Sequence, residues 1–247
     1  MLLVDVHCHI HLCPNPVGVV SDSFALGVKK IVTAGLDFDS NLKSLSLSDG
    51  SSFVRASIGL HPTVLSDDWK RHVDLVTQQI LKNSDRIVAI GEIGLDYTVD
   101  FSKDVQKNVF VEFLSLAENI GLPVVVHSRK AEFDVLEILD SRSVKHVILH
   151  SFGGRISLVK RAVNSGFMFS IPSNIDRSSH YQKIVEVVPI SQILTETDAP
   201  YQSSVKGVPS VPGDVAKSIP VIAKIKNLTP IETANNIFMN YTRVFKN

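Results

Sequence analysis

Asp5-Val6-His7-Cys8-His9 closes the first apolar run of the chain, Leu2 to Val6, and sets two imidazoles two positions apart. In an extended strand alternate side chains share a face, so His7 and His9 project together near the strand's carboxyl end. Two imidazoles aimed at one point can grip a divalent metal. Cys8 faces the opposite way and is expected to pack. A His-x-His taken alone is a weak signal, because paired histidines also occur at strand exits without a metal. Four further apolar runs end in the same manner, however. Glu92 follows Ile87 to Ile90, His127 follows Leu122 to Val126, His150 follows Val147 to Leu149, and Asp198 follows Ile193-Leu194.

Imidazole nitrogens mixed with carboxylates suit zinc, manganese or another first-row ion, and favour magnesium less. Six protein ligands exceed what one ion needs if a position is to stay open for water. Two divalent ions sharing a bridging carboxylate is the economical arrangement. At their usual separation of roughly 3.5–4 Å such ions clamp the attacking and leaving oxygens of a phosphoryl transfer.

The elements that must position these groups alternate along the chain. Strands are expected at Leu2 to Val6, Lys30 to Thr33, Phe53 to Ile58, Ile87 to Ile90, Val124 to Val126, Val147 to Leu149, Phe167 to Ile171 and Ile193-Leu194. Helices are expected between them, near Ser21 to Val28, Ser40 to Leu47, Ser66 (as cap) to Leu81, Ser102 to Ile120, Ala131 to Leu139, Ile156 to Asn164 and Ser179 to Val188. In the long helix Val105, Val109, Phe113, Leu116 and Ile120 recur at helical spacing, and Gly121 and Pro123 end it. A helical tail follows, with one helix near Val215 to Lys226 and another opened by Thr229-Pro230-Ile231-Glu232. That quartet combines a threonine cap, proline at the first helical position and glutamate at the third. The segment Tyr201 to Gly213 is rich in Ser, Pro and Gly and is expected to be an exposed loop.

Eight strands alternating with helices predict an α/β fold: a single-domain (β/α)8 barrel of the TIM type, regular or distorted, spanning 1–247 with a C-terminal helical extension. In such a barrel the carboxyl ends of the strands form the functional face, where all six candidate ligands fall. A hydrophobic content of 44% supports a large core. No run reaches the roughly 20 apolar residues needed to cross a bilayer, and no basic stretch with an apolar h-region opens the chain, so a cytoplasmic location without membrane contact is expected. Cys8 and Cys13 alone give no disulfide framework. With 25 basic and 25 acidic residues the net charge is zero, which argues against a broad electrostatic footprint for duplex DNA but leaves room for a local phosphate site.

Six motifs in order resemble those of the TatD-type metal-dependent deoxyribonucleases, a branch of the amidohydrolase superfamily. They are Asp5-Val6-His7-Cys8-His9, Gly59-Leu60-His61-Pro62, Gly91-Glu92-Ile93-Gly94-Leu95-Asp96-Tyr97, Pro123-Val124-Val125-Val126-His127-Ser128-Arg129, His150-Ser151-Phe152-Gly153-Gly154 and Glu196-Thr197-Asp198-Ala199-Pro200-Tyr201. The resemblance implies that His7, His9, Glu92 and Asp198 hold one ion and that Glu92 bridges to a second, completed by His127 and His150. It implies that Asp198 also orients or deprotonates the attacking water, and that His61 contacts the scissile phosphate or leaving group. The alternative for His61 is a loop histidine bonded to backbone before a proline. The chain departs from the family pattern at Leu12-Cys13-Pro14-Asn15-Pro16, at Lys130, and in the short loop after Tyr201, all of which bear on substrate recognition rather than on metal ligands.

Arg129 can reach a phosphate with its guanidinium fork, or pair with Asp96 or Glu132. Asp96 is expected to orient a ligand histidine or Arg129. Tyr97 and Tyr201 could stack on a base or simply pack. His72 is expected at the surface, His146 at a strand start, His180 in a loop, and Trp69 on the third helix in or near the core. The expected activity is metal-dependent hydrolysis of phosphodiester bonds in single-stranded or frayed DNA, with DNA as substrate and no obligate protein partner. The alternative is hydrolysis of a carboxylic ester, lactone or amide, aminoacyl esters included, because an activated water also attacks carbonyl carbon.

Overall fold

A computed structural model describes residues 1–205 and 207–245. Eight parallel strands follow one another around a barrel in sequence order. They are β1 (Leu3–Cys8), β2 (Val28–Ala34), β3 (Val54–Ile58), β4 (Ile87–Asp96), β5 (Val124–Arg129), β6 (Val147–His150), β7 (Met168–Pro172) and β8 (Ile193–Glu196). Seven helices connect them: α1 (Pro16–Ala25), α2 (Phe38–Ser48), α3 (Trp69–Lys82), α4 (Lys103–Ile120), α5 (Glu132–Asp140), α6 (Ile156–Asn164) and α7 (Ser179–Val187). The tail adds α8 (Ser218–Lys226) and α9 (Pro230–Val244). This is the TIM-type barrel with a helical extension that the alternation predicts. Among the described residues no helix is long and apolar enough to cross a membrane.

The strands are near-continuous runs of Val, Ile, Leu and Ala because both of their faces are covered, by the barrel interior and by the helices. Phe110 and Phe113 on α4 are almost wholly buried against that sheet, and burying each such side chain contributes about 1.5–3 kcal/mol. Gly94, at φ +143°, lets β4 run close against β5, since a Cβ there would collide with the His127 carbonyl. That approach brings His127 alongside Glu92.

The barrel closes between β8 and β1 through side chains as well as backbone. Thr195 Oγ1 donates to the Val4 carbonyl at 2.6 Å, Thr197 N to Asp5 Oδ1 at 3.1 Å, and Asp198 N to the His7 carbonyl at 2.9 Å. Burial pushes the Asp5 carboxyl up to about 8, against the opposing effect of its bonds from Thr197 and His7. Asp5 therefore works as a buried clasp at the seam, accepting from both sides of it, and the clasp fixes where Asp198 meets His7.

Several boundaries differ from the sequence expectation for local chemical reasons. α1 begins at Pro16 rather than Ser21, because Asn15 caps it by accepting from Gly18 N and proline suits the first position. It ends at Ala25, and β2 has already begun at Val28. α2 starts at Phe38 through a capping box between Asp37 and Ser40. α3 starts at Trp69 after Asp68, so Ser66 is not its cap. Only Ser218–Lys226 of the expected Val215 to Lys226 helix is α-helical, since Pro212–Lys217 forms a tighter 3-10 turn. The Thr229 and Glu232 capping box forms as the sequence indicates. The segment Tyr201 to Gly213 is not exposed throughout: Ser210, Pro212 and Gly213 are buried, and Gly213 N donates to Ser23 on α1. Lys206, within that segment, and the last two residues of the expected 1–247 barrel lie outside the described residues. His180 falls in the first turn of α7, where Ser178 caps the helix, rather than in a loop. His72 is half-buried on α3 instead of lying at the open surface. His146 does immediately precede β6, and Trp69 packs at the edge of the core.

Candidate metal centre

Glu92 lies on β4 with both carboxylate oxygens inside a ring of imidazoles. Its Oε2 is 3.3 Å from His7 Nε2 and 3.6 Å from His9 Nε2. Its Oε1 is 2.8 Å from His127 Nδ1, 3.4 Å from His61 Nε2 and 3.7 Å from His150 Nε2. Asp198, two residues beyond β8, sets Oδ1 at 3.5 Å from His7 Nε2 and 3.4 Å from His9 Nε2. The six candidate ligands thus converge at the carboxyl face of the barrel. His7 on β1 and His9, the residue just beyond it, do project to one side, with ring centroids 4.9 Å apart, while Cys8 is buried and its thiol points to the Val32 carbonyl.

Three sets of potential ligand atoms lie within 4.8 Å of one another: His7, His9 and Asp198; His7, Glu92 and His150; and His61, Glu92 and His127. The donors fit a borderline-soft divalent cation, being imidazole nitrogen and carboxylate oxygen. His7 supplies the sharpest test of fit. Its ring is fully buried and among the described residues neither nitrogen has a hydrogen-bond partner, which a protein interior rarely tolerates without another ligand for the group.

Outer contacts hold the rings in orientation. His9 Nδ1 lies 2.9 Å from the Ala34 carbonyl. His127 Nε2 is 3.1 Å from Asp96 Oδ2, whose other oxygen accepts from Thr98 N and Oγ1. Asp96 therefore orients a histidine, as its position suggests, and not Arg129. The loop placement of His61 is seen directly, since Nδ1 accepts from Thr63 N at 3.2 Å in the turn after it, while Nε2 faces Glu92 Oε1 at 3.4 Å. The bond from Thr63 N leaves the proton of the neutral ring on Nε2, pointing into the site.

The charges sort accordingly. Burial disfavours the charge on Glu92, but His61, His7 and His150 outweigh it and hold the carboxyl well below its usual range. Burial also opposes an imidazolium at His7, yet Glu92 and Asp198 raise it. For His127 the bonds to Asp96 and Glu92 overcome burial and raise the ring to about 9. Asp198 is depressed because the neighbouring imidazoles of His7, His9 and His150 outweigh its burial. At His61 burial prevails and the ring is lowered, favouring the neutral form.

A cavity of about 620 Å³ opens above the cluster, lined in part by His61, Arg129, Glu132, Tyr181, Tyr201 and Gln202. The model of the family described as TatD related DNase matches residues 4–246. The chain belongs to that family. A human protein named deoxyribonuclease TATDN3 is 33% identical over 98% of this chain and 94% of its own length. An uncharacterized metal-dependent hydrolase of Methanocaldococcus jannaschii is 34% identical over 98% and 96%. The crystal structure of YjjV, a TatD homologue from Escherichia coli, matches with a TM-score of 0.90 at 25% identity, over 99% of this chain and 98% of that one.

In this TatD family chain, Arg129 lines the cavity exposed, and among the described residues it pairs with neither Asp96 nor Glu132. Tyr201 is 53% exposed at the rim, its ring 6.1 Å from that of His9. Tyr97 does not line this cavity, because its hydroxyl is tied to Asp134 Oδ2 at 2.6 Å. Sequence reasoning missed Glu196, whose Oε2 is 2.9 Å from His150 Nδ1 and accepts from Ser170. It also missed Gln202, which donates to Asp198 Oδ2 at 3.0 Å and to Ser151 Oγ at 2.8 Å. The signal for Glu196 was an acid closing the short strand that Ile193-Leu194 opens, where burial demands a partner. Gln202 had no such signal.

Proposed function

We propose that the chain is a divalent-metal-dependent hydrolase, one cytoplasmic barrel domain that cleaves phosphodiester bonds in single-stranded or frayed DNA. The observation that carries this reading is the division of Glu92, with one oxygen toward His7 and His9 and the other toward His127 and His150. His7, His9 and Asp198 with Glu92 Oε2 would hold one ion, and His127 and His150 with Glu92 Oε1 a second, zinc or manganese being preferred over magnesium by the imidazoles. Ions bound there would lower the pKa of a water molecule and withdraw charge from the phosphate.

The chain's own groups supply the rest. Asp198 is ionised, keeps Oδ1 toward His7 and His9, and has Oδ2 fixed by Gln202, so it can take the proton of the attacking water. His61 presents its Nε2 proton to a phosphate oxygen or to the leaving group. Arg129, exposed and unpaired among the described residues, offers its fork to the next phosphate oxygens. Asp96 and Glu196 keep His127 and His150 turned toward the centre. Two buried cysteines without a disulfide suit a reducing compartment.

Elemental analysis of the purified protein, paired with assays on end-labelled single-stranded DNA and a panel of carboxylic esters, lactones and aminoacyl esters, tests this reading. Two ions per chain with DNA cleavage are expected. Ester or lactone hydrolysis by a protein inert toward DNA would overturn the nuclease reading in favour of carbonyl chemistry on the same centre.

A further inference from the structure

A second cavity of about 370 Å³ adjoins the first, and Glu132 and Gly153 line both. It lies between the loop from β5 to α5 and the loop from β6 to α6. Its walls carry Lys130, Arg155, Tyr97 and Phe133. Lys130 and Arg155 are exposed, and among the described residues neither forms an ion pair. Lys130 is held at φ +56°, a backbone conformation that turns the chain sharply just beyond Arg129. Phe133 is 51% exposed beside these cations, with Arg161 over its ring at 5.9 Å. The acids of the region are not equivalent: Asp134 is neutralised by Lys107 at 2.7 Å and by the Tyr97 hydroxyl, while Glu132 stands on the divide between the two cavities.

An exposed aromatic ring next to unpaired cations is the combination that binds single strands, with bases on the ring and phosphates on the cations. On a chain whose net charge is zero, this local excess sits where a strand leaving the centre past Arg129 would run. We propose that this groove holds the nucleotides flanking the scissile bond of a single-stranded DNA substrate. Lys130 and Arg155 contact their phosphates, Phe133 carries a base, and Glu132 keeps the phosphates to the Lys130 side. The inference rests on the nuclease reading and adds to it a contact surface for strand length.

The test uses the metal-loaded protein and Lys130→Glu, Arg155→Glu and Phe133→Ala variants. Substrates are single-stranded oligonucleotides of increasing length and the small diester bis(p-nitrophenyl) phosphate, which is too short to reach the groove. Binding of a fluorescein-labelled oligothymidylate is measured in parallel by anisotropy as salt is varied. Each substitution is expected to raise KM for long strands about tenfold while leaving the small diester and dinucleotides unaffected. Each charge reversal should also flatten the plot of log affinity against log salt by at least about 0.7. Unchanged KM and salt slope in the variants of a DNA-cleaving parent would overturn the groove alone. Equal losses on the small diester would also overturn it, by assigning the effect to the centre or to folding. A parent that binds the oligothymidylate through these residues yet cleaves neither it nor the diester would sink the nuclease reading instead.

Discussion

The two oxygens of Glu92 face unlike neighbourhoods. On the Oε2 side His7 comes from β1 and His9 from the residue just beyond it, and among the described residues no side-chain carboxylate stands behind them: His9 leans on the Ala34 carbonyl and His7 Nδ1 has no partner. On the Oε1 side His127 and His150 come from different strands, and each is backed by a carboxylate, Asp96 at 3.1 Å and Glu196 at 2.9 Å. A carboxylate behind an imidazole fixes its rotation and raises its basicity. The first half is thus positioned by strand alternation and the barrel seam, whereas the second depends on partners that a single substitution can remove. The second half should be the tunable one.

Glu92→Ala is the most severe way to break the comparison, because it deletes the group common to both halves. The variant is expected to lose both ions and to fall to background hydrolysis while its circular dichroism and melting behaviour remain those of a folded barrel, whose core lies elsewhere. Retention of the parent's metal content would refute the shared role.

Asp198→Asn strikes the first half without changing its shape. The amide still offers an oxygen toward His7 and His9 but cannot accept a proton, so kcat should drop by about 10²–10⁴ with most metal retained. A parallel drop in metal content and rate would instead make Asp198 only a ligand.

Asp96→Asn and Glu196→Gln sharpen the contrast. Both should weaken metal on the Oε1 side by about 10–100-fold in chelator competition and leave the Oε2 side unaltered. Uniform weakening at both sites would erase the distinction between the halves.

The mildest lever is pH. His127 in the metal-free protein is raised from 6.5 to about 9, so its contribution to stability is complete below about 6.5 and is lost as pH climbs through about 9. Metal needs the neutral ring and so has the opposite slope. Apparent affinity on the Oε1 side should rise by up to tenfold per pH unit toward 9 and level off above it. A flat profile from pH 7 to 9, measured by isothermal titration in several buffers, would remove the proton from the account.

Much of the comparison was legible in the chain and part was not. Strand alternation placed His7 and His9 on one face, and apolar runs ending in Glu92, His127 and His150 located the other candidate ligands, because a parallel barrel brings strand ends together. The backing contacts join residues far apart in sequence, Glu196 to His150 and Gln202 to Asp198, and no local periodicity encodes a side chain's distant partner. Asp5 belongs to the first motif, and its work there, clasping the seam through Thr197, is a contact across the whole length of the sequence. α1 starts five residues before the expected Ser21 because Asn15-Pro16 is itself a helix-start signal, a cap followed by proline at the first position. His180 belongs to the first turn of the helix expected at Ser179 to Val188, so placing it in a loop set it apart from the helix start that Ser178 caps.

Anomalous scattering from crystals grown with manganese or zinc tests the division of Glu92 most directly. Two peaks are expected, one beside Oε2 among His7, His9 and Asp198 and the other beside Oε1 with His127 and His150. A single peak, or peaks that leave either oxygen of Glu92 without a metal neighbour, would contradict the account.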